Sequence, residues 1–218
     1  MITHTRFSLA VATFAALGAC GVSGILRVDQ DRYSNGFALL RSTTILGPPE
    51  EDSIGEIRPP VRITDATPFD MGRAVLIGDR AEFLTDPNHT VPSRYQIVWT
   101  GARTSVSDAV NNIILRDDDG REALRIQYTL NRIDAIWADD VGLAPGTLNA
   151  SLPHEVRIIL YMTGVKRADV TATRDGEVLF QRTGIELIDS GFSRLDAVEV
   201  RSQTDYFMRD LVATTLGN

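Results

Sequence analysis

Cysteine and lysine are almost absent from the sequence. Cys20 is the only cysteine among 218 residues, and Lys166 is the only lysine, since the other 21 basic residues are arginine. A single cysteine cannot form an internal disulfide. The basic residues are interspersed with acidic ones and the formal net charge is -7, so the sequence predicts no nucleic-acid surface.

The common catalytic motifs are missing as well. After the first twenty residues only His89 and His154 remain, and neither has a second histidine, cysteine or carboxylate at a metal-ligand interval. There is no Gly-x-Ser-x-Gly elbow and no glycine-rich phosphate loop. A triad assembled from distant residues stays open. His154, directly ahead of a predicted strand, is interpreted as a structural residue with its hydrogen bonds satisfied.

The N-terminal apolar segment is too short to cross a bilayer. Residues 7–17 follow Arg6 and predict a secretory signal peptide over residues 1–19. The segment ends in Leu17-Gly18-Ala19-Cys20, which resembles the lipobox of bacterial lipoproteins. That resemblance implies cleavage before Cys20 and acylation of this residue, palmitate included, as a membrane anchor. An ordinary signal peptide with an incidental cysteine is the alternative.

Gly21 bears on where such an anchor would lie. It stands where lipoproteins retained at the inner membrane of enteric bacteria have aspartate. The lipoprotein resemblance therefore implies a lipid-anchored protein of the cell envelope, in the outer membrane.

The remaining chain is dominated by short alternating runs. In residues 124–131 apolar and polar side chains alternate with the period of two that predicts a strand with one buried face. Asp117-Asp118-Asp119-Gly120 precedes this run, and Arg174-Asp175-Gly176 recurs later, as turns of two predicted hairpins. At least five such strands follow one another without a convincing helix, which predicts an all-β fold, an antiparallel sandwich or barrel.

Further strands are predicted on the same grounds. Residues 95–100 alternate so that Trp99 falls on the core face, and residues 133–138 form another strand. Residues 206–213 fit a helix or a strand by period alone, and a strand is predicted because it can complete a sandwich. Residues 105–111 fit a helical turn or a loop.

Proline marks the predicted domain boundary. Five of nine prolines lie in residues 48–68, which excludes a central strand there and predicts an extended arm or a partly disordered spacer. Residues 22–31 are interpreted as a tether. The expected organisation is therefore a signal peptide over residues 1–19, a lipidated tether and proline-rich arm over residues 20–71, and a β-sandwich domain over residues 72–218.

The strand pattern from about Gly72 to Ala213 resembles the concanavalin A-like lectin/glucanase and laminin-G sandwiches. The resemblance is carried by the run at residues 154–161, the Asp175-Gly176 hairpin, and the closing runs at residues 198–200 and 209–212. It implies an antiparallel jelly-roll sandwich that binds glycans or proteins at its rim or concave sheet. Hydrolases of that family carry a Glu-x-Asp-x-x-Glu strand, which this sequence lacks.

Three groups of residues are candidates for binding. Asp117, Asp118 and Asp119 could donate oxygen ligands to Ca²⁺, and a solvated hairpin turn without an ion is the favoured alternative. Trp137 and Tyr161 could stack on a sugar ring, with core packing as the alternative for each. No other cofactor is expected.

The sequence thus favours a cell-envelope lipoprotein that acts as a non-catalytic glycan-binding module. Its expected partners are the membrane, through the lipid anchor, and a polysaccharide. A structural or assembly lipoprotein that binds an envelope protein through the proline-rich arm or a sheet edge is the alternative. A divergent glycoside hydrolase is a third hypothesis, and it requires two carboxylates facing one another in a cleft.

Overall fold

The computed structural model describes residues 22–28, 30–32, 38–39, 44–46, 55–58, 61–67, 71–103, 109–129, 132–136 and 152–217. This part of the chain contains sixteen β-strands, one short 3-10 helix at Gln30–Arg32, and no α-helix. The strands are β1 (Val22–Arg27), β2 (Ala38–Leu39), β3 (Thr44–Leu46), β4 (Gly55–Arg58), β5 (Val61–Thr64), β6 (Ala74–Ile77), β7 (Arg80–Leu84), β8 (Arg94–Arg103), β9 (Asn111–Arg116), β10 (Glu122–Thr129), β11 (Arg132–Ile136), β12 (His154–Tyr161), β13 (Arg167–Arg174), β14 (Glu177–Glu186), β15 (Ala197–Ser202) and β16 (Tyr206–Leu216).

These strands form two antiparallel sheets. The nine-stranded sheet has the order β14-β13-β12-β8-β16-β6-β5-β2, and β1 also pairs with β16. The seven-stranded sheet has the order β11-β10-β9-β15-β7-β4-β3. Strands that follow one another in the chain repeatedly change sheet, as β6 and β7 do. The predicted all-β class and antiparallel sandwich are confirmed.

The core lies between the sheets, because each long strand alternates. In β12, Val156, Ile158 and Leu160 are buried while the residues between them reach the outer surface. The buried apolar side chains of both sheets form one cluster. Trp99 on β8 is fully buried in it, as its alternating run predicts. Burial of this apolar surface is the main stabilising contribution to such a fold.

Both predicted hairpins are present. Gly120 has φ 80° and follows β9 within the turn that leads into β10. Asp175 and Gly176 have φ 51° and 83°, and positive φ at both central residues is the type I′ turn that matches the twist of a hairpin. The strand predicted at residues 206–213 is confirmed as β16. The strand predicted at residues 133–138 is described as β11, Arg132–Ile136.

The sandwich begins well before the predicted boundary at Gly72. Residues 22–27, interpreted from sequence as a tether, form β1 and pair with the end of β16. Within the proline-rich arm, β4 pairs with β3 and β7, and β5 pairs with β2 and β6. The exclusion of inner strands from residues 48–68 was wrong, because β4 and β5 are inner strands and neither contains a proline.

A bulge in β16 receives the N-terminal segment. The pairing of β16 with β8 shifts between Arg209 and Val212, and Asp210 has φ 54°. Gln30, which is buried, donates from Nε2 to Asp210 Oδ1 at 3.0 Å and accepts the Asp210 amide at 3.2 Å. The bulge separates the part of β16 that pairs with β6 from the part that pairs with β1.

Several predictions fall on residues outside the described ranges. They are the signal peptide, the lipidation of Cys20, most of residues 105–111, and Trp137. Within the described ranges, no helix is long and apolar enough to span a membrane.

Candidate functional site

A cluster of paired acidic and basic side chains lies on the outer face of the seven-stranded sheet. In β15, Val198 and Val200 point into the core, so Glu199 between them points outward. Its side chain is nevertheless 0% exposed, because arginine side chains cover it. The central feature of this surface is therefore a carboxylate that points away from the core and is nevertheless completely buried.

Three guanidinium groups hold Glu199. Arg80 Nε on β7 and Arg201 Nε on β15 lie 2.7 and 2.6 Å from Oε1. Arg116 Nε on β9 lies 2.5 Å from Oε2. These three arginines lie on three adjacent strands, β7, β15 and β9. The ion pairs therefore connect neighbouring strands at the centre of the seven-stranded sheet. Charge-assisted hydrogen bonds of this kind are the strongest that side chains make.

These contacts decide the ionisation of Glu199. Burial by itself would raise the pKa of its carboxyl, but the hydrogen bonds from Arg201 and Arg116 outweigh burial and lower the pKa below the ordinary value. The hydrogen bond to Glu199 in turn raises the pKa of Arg201. Glu199 is therefore an anion at neutral pH and fixes the positions of the arginines around it.

The same pattern continues onto β10 and β7. Glu122 pairs with Arg116 at 2.8 Å and with Arg125 at 2.7 Å, and Glu82 pairs with Arg80 at 2.6 Å. We call this set the arginine–glutamate network: it comprises Arg80, Glu82, Arg116, Glu122, Arg125, Glu199 and Arg201. Next to it, Gln127 Nε2 donates to Asn112 Oδ1 at 3.3 Å. The network thus adjoins a pair of planar amides.

The guanidinium groups of the network remain accessible. The side chains of Arg80, Arg201 and Arg125 are 53%, 48% and 34% exposed, so their outer N–H groups reach solvent while the glutamates hold their inner ones. A planar, fixed guanidinium is suited to bind a carboxylate or another oxyanion. The amides beside it can donate to and accept from hydroxyl groups. The surface is chemically suited to a ligand that carries both.

Sequence reasoning missed this surface. The run from Val198 to Arg201 alternates, so it could have placed Glu199 and Arg201 on one face of a strand. It contains no indication that Arg80 and Arg116, more than eighty residues away in the chain, lie on the neighbouring strands. That information depends on which strands pair and in which register.

The acidic turn predicted as a calcium site has a different environment. Oxygen atoms of Asp117, Asp118 and Asp119 lie within 4.8 Å of one another, close enough to hold an ion. Arginines already supply positive charge there: Arg121 Nη1 is paired with Asp119, and Arg194 Nη2 lies 3.8 Å from Asp118. The charge of Asp119 and its hydrogen bond raise the pKa of Arg121.

Asp117 itself is committed to the backbone. Its Oδ1 accepts the Arg121 amide at 2.8 Å, and its Oδ2 accepts the Ser193 amide at 3.1 Å. Its side chain is 0% exposed. Asp117 therefore fixes the hairpin and joins it to the loop that precedes β15.

Tyr161, the other described candidate for sugar binding, lies on the outer face of the nine-stranded sheet. It is partly buried, and its hydroxyl donates to Asp169 Oδ2 at 2.9 Å. This hydrogen bond, more than burial, raises the pKa of Tyr161. Since Tyr161 and the arginine–glutamate network occupy the outer faces of opposite sheets, the structure does not bring them into one site.

His154 is a core residue. It is 2% exposed, its Nδ1 donates to the Leu152 carbonyl at 3.0 Å, and its ring centroid lies 5.4 Å from that of Tyr128. No hydrogen bond from a protein group reaches its Nε2. Burial lowers the pKa of His154 to about 4. The structural interpretation is supported for Nδ1, while Nε2 is left without a protein partner.

Comparison with known proteins bears on the fold. No protein-family model matches the chain, and no curated protein matches it by sequence. A Trypanosoma rangeli sialidase structure is 13% identical with a TM-score of 0.53, covering 96% of this chain and 34% of that one. Another sialidase is 9% identical with a TM-score of 0.50, covering 71% and 17%. The likeness is one of fold alone. The chain spans about a third or less of these two sialidases.

Proposed function

We propose that this protein is a lipid-anchored glycan-binding module of the cell envelope, with a concanavalin A-like sandwich. In this proposal residues 1–19 are a signal peptide and Cys20 carries the anchor in the outer membrane. The glycan lies on the outer face of the seven-stranded sheet. The observation that carries the proposal is the arginine–glutamate network, which presents fixed guanidinium groups to solvent.

The network favours a glycan with carboxylate groups. It contains four arginines and three glutamates, so it is locally cationic in a chain whose net charge is -7. The sugar hydroxyls have Gln127 and Asn112 as partners beside it. A polymer that carries several carboxylates can contact several of these groups at once. After the first contact forms, the others form at a high effective concentration, which strengthens binding.

Glu199 is not suited to act as the acid of a glycosidase. A glycosidase needs a carboxylic acid that keeps its proton near neutral pH, and its pKa must be raised for that purpose. The pKa of Glu199 is lowered instead. A divergent hydrolase would therefore have to use carboxylates other than Glu199 as its acid.

The test is a binding panel with an unanchored chain of residues 21–218, which contains all the described strands. Neutral and uronate-containing polysaccharides are compared by calorimetry for the wild type, the double variant Arg125→Gln/Arg201→Gln, and Arg157→Gln. Arg157 is the matched control, because it is 53% exposed and paired with Glu155 on the other sheet. We expect uronate binding by the wild type, roughly tenfold weaker binding by the double variant, and no change in the control.

Other outcomes of the same panel would place the binding site at one of the other candidate residues. Loss of binding in Tyr161→Phe or Trp137→Ala, but not in the double arginine variant, would move the site to those aromatics. Loss on chelation, reproduced by Asp118→Asn/Asp119→Asn, would assign a Ca²⁺ ion to the acidic turn. Binding of no polysaccharide would contradict the proposed function.

The second candidate is a structural lipoprotein that binds an envelope protein. The observation in its favour is β14, a ten-residue strand at the edge of the nine-stranded sheet, in which Val178 is 54% exposed. An edge strand offers unpaired backbone groups to another chain. Two register shifts between β13 and β14 interrupt this edge, which makes it a poorer template. Crosslinking from position 178 in intact envelopes tests it.

A further inference from the structure

One end of the nine-stranded sheet is defined by a single row of paired residues. Val22 at the start of β1 pairs with Leu216, Leu216 with Arg94, and Arg94 with Tyr161. The row continues from Tyr161 to Arg167 and from Arg167 to Glu186. We call these six residues the terminal row. Adjacent strands lie about 4.8 Å apart, so the row spans roughly 24 Å.

The proposed anchor is attached directly beside this row. Cys20 precedes Val22 by two residues. Two residues span at most about 7 Å, so the Cα atom of Cys20 cannot lie farther than that from the Cα atom of Val22. The acyl chains on Cys20 therefore leave almost no tether between the bilayer and the terminal row.

Exposed apolar side chains lie at the same end. In the described part of the chain the large hydrophobic residues that are exposed are Val91, Val165 and Val178, at 51%, 62% and 54%. Val91 lies two residues before Ser93, whose Oγ donates to the Leu216 carbonyl at 3.0 Å. Val165 lies in the connection from β12 to β13, directly beyond Tyr161 and Arg167. Both valines thus lie in loops beyond the terminal row.

Val178 lies at the opposite end. It pairs with Thr173, six residues along β13 from Arg167. At the rise of a strand this is about 20 Å from the terminal row. The chain therefore contains its own control, an equally exposed valine on the same sheet at the other end.

Charge at the terminal row is mixed. Arg94 and Arg167 are exposed, and Glu186 lies opposite Arg167. Lys166 donates to the Phe192 carbonyl at 2.5 Å. The acidic turn lies at this end of the other sheet, where Arg194 joins it to the Pro87 carbonyl. With both signs present, the surface has no strong preference for an anionic lipid.

We propose that the terminal-row end of the sandwich rests on the lipid bilayer, with Val91 and Val165 in the interfacial layer. The inference rests on the proposed lipidation of Cys20 and goes beyond the glycan-binding function. An acyl anchor with a short connection holds the end at the surface, and exposed valines gain from leaving water there. Consequently the outer faces of both sheets stand roughly along the membrane normal, and the arginine–glutamate network stays open to solvent.

The test uses the full, lipidated chain in phosphatidylcholine vesicles. Lipidation occupies the thiol of Cys20, so Val165→Cys or Val178→Cys introduces a single free thiol for an environment-sensitive fluorophore. Lipids with a nitroxide near the headgroup serve as the quencher. We expect several-fold stronger quenching and a blue-shifted emission for the label at position 165, and little of either at position 178.

The outcomes separate this inference from the function on which it rests. Equal quenching at both positions, in a chain whose mass shows a lipidated Cys20, would overturn the membrane contact and leave the anchor and glycan binding intact. A chain without lipid on Cys20 would overturn the anchor and the contact together. Glycan binding by the vesicle-bound wild type, with unchanged affinity, is expected only if the network faces away from the bilayer.

A second measurement does not depend on labels. Val91→Asp/Val165→Asp places two charges at the proposed interface without touching the core, and Val178→Asp is its control. The double variant should leave vesicles several-fold faster than the wild type, while the control leaves at the wild-type rate. Equal rates for all three would contradict a role for the valines.

Discussion

Glu199 and Asp117 are both completely buried carboxylates near the surface, and they are satisfied in opposite ways. Glu199 is held by side chains of three strands, and its partners spread over the seven-stranded sheet. Asp117 is held chiefly by the backbone amides of Arg121 and Ser193 at one turn. A carboxylate satisfied by amides orders only its own neighbourhood. One satisfied by guanidinium groups arranges a charged surface whose outer donors are available to a ligand.

The most severe test of this contrast removes the charge of Glu199. Glu199→Gln keeps the shape of the side chain but leaves three arginines without their shared anion. We expect the free energy of unfolding to fall by about 3 kcal/mol, the range for breaking a buried ion pair. Urea unfolding measures it, and uronate binding by the same variant should be lost. A variant as stable as the wild type would show that the arginines are satisfied without Glu199.

The pH dependence of the free energy of unfolding distinguishes the contribution of His154 from that of Glu199. The pKa of His154 in the folded protein is about 4, below its ordinary 6.5, because burial excludes the charged form and Arg174 adds a smaller effect. The unfolded chain therefore binds more protons below pH 6.5, and stability present above that pH is lost as the pH falls towards 4. We expect a loss of about 2 kcal/mol between pH 6.5 and 4.5.

Glu199 does not contribute in that window. Its pKa is lowered from 4.5, so its share of stability is present above pH 4.5 and disappears only below it. His154→Asn should flatten the unfolding free energy between pH 6.5 and 4.5 and leave the steeper loss at lower pH. If the loss between pH 6.5 and 4.5 persists in His154→Asn, another group is responsible for it.

The smallest effect is expected at the turn. Asp117→Asn keeps an acceptor for the Arg121 amide but turns an NH₂ group towards the Ser193 amide. We expect a loss of about 1 kcal/mol, that of one buried hydrogen bond, with uronate binding unchanged. Urea unfolding beside Glu199→Gln provides the comparison. If Asp117→Asn proves the more destabilising of the two, the hydrogen bonds of Asp117 contribute more to stability than the ion pairs of Glu199.

The sequence predicts those parts of the fold that depend on local alternation. Residues 124–131 and the run around Trp99 have a strict period of two, and a one-residue error would expose their apolar side chains. The Asp175-Gly176 turn is specified by residues that accept positive φ. β1, β4 and β5 were missed because each is short, lies among small residues or prolines, and is stabilised by pairing with strands distant in the sequence.

The candidate surface depends on register for the same reason. Between β7 and β15, Arg80 lies opposite Arg201 and Glu82 opposite Glu199, so like charges face each other directly and the attractive pairs of Arg80 run along the strand to Glu82 and diagonally to Glu199. No local pattern predicts diagonal pairing. The acidic turn, in contrast, was identified from three consecutive residues, and the structure shows that the backbone takes up the carboxylate of Asp117.

The position of β16 inside the nine-stranded sheet has a consequence for folding. This strand separates β8 from β1 and β6, and its residue Leu216 pairs with both Val22 and Arg94, so the two parts of the sheet are joined only when β16 is in place. Pairing between segments so distant in the chain makes folding slow. Loss of β16 would therefore divide the sheet, whereas loss of the edge strand β14 would only make it narrower.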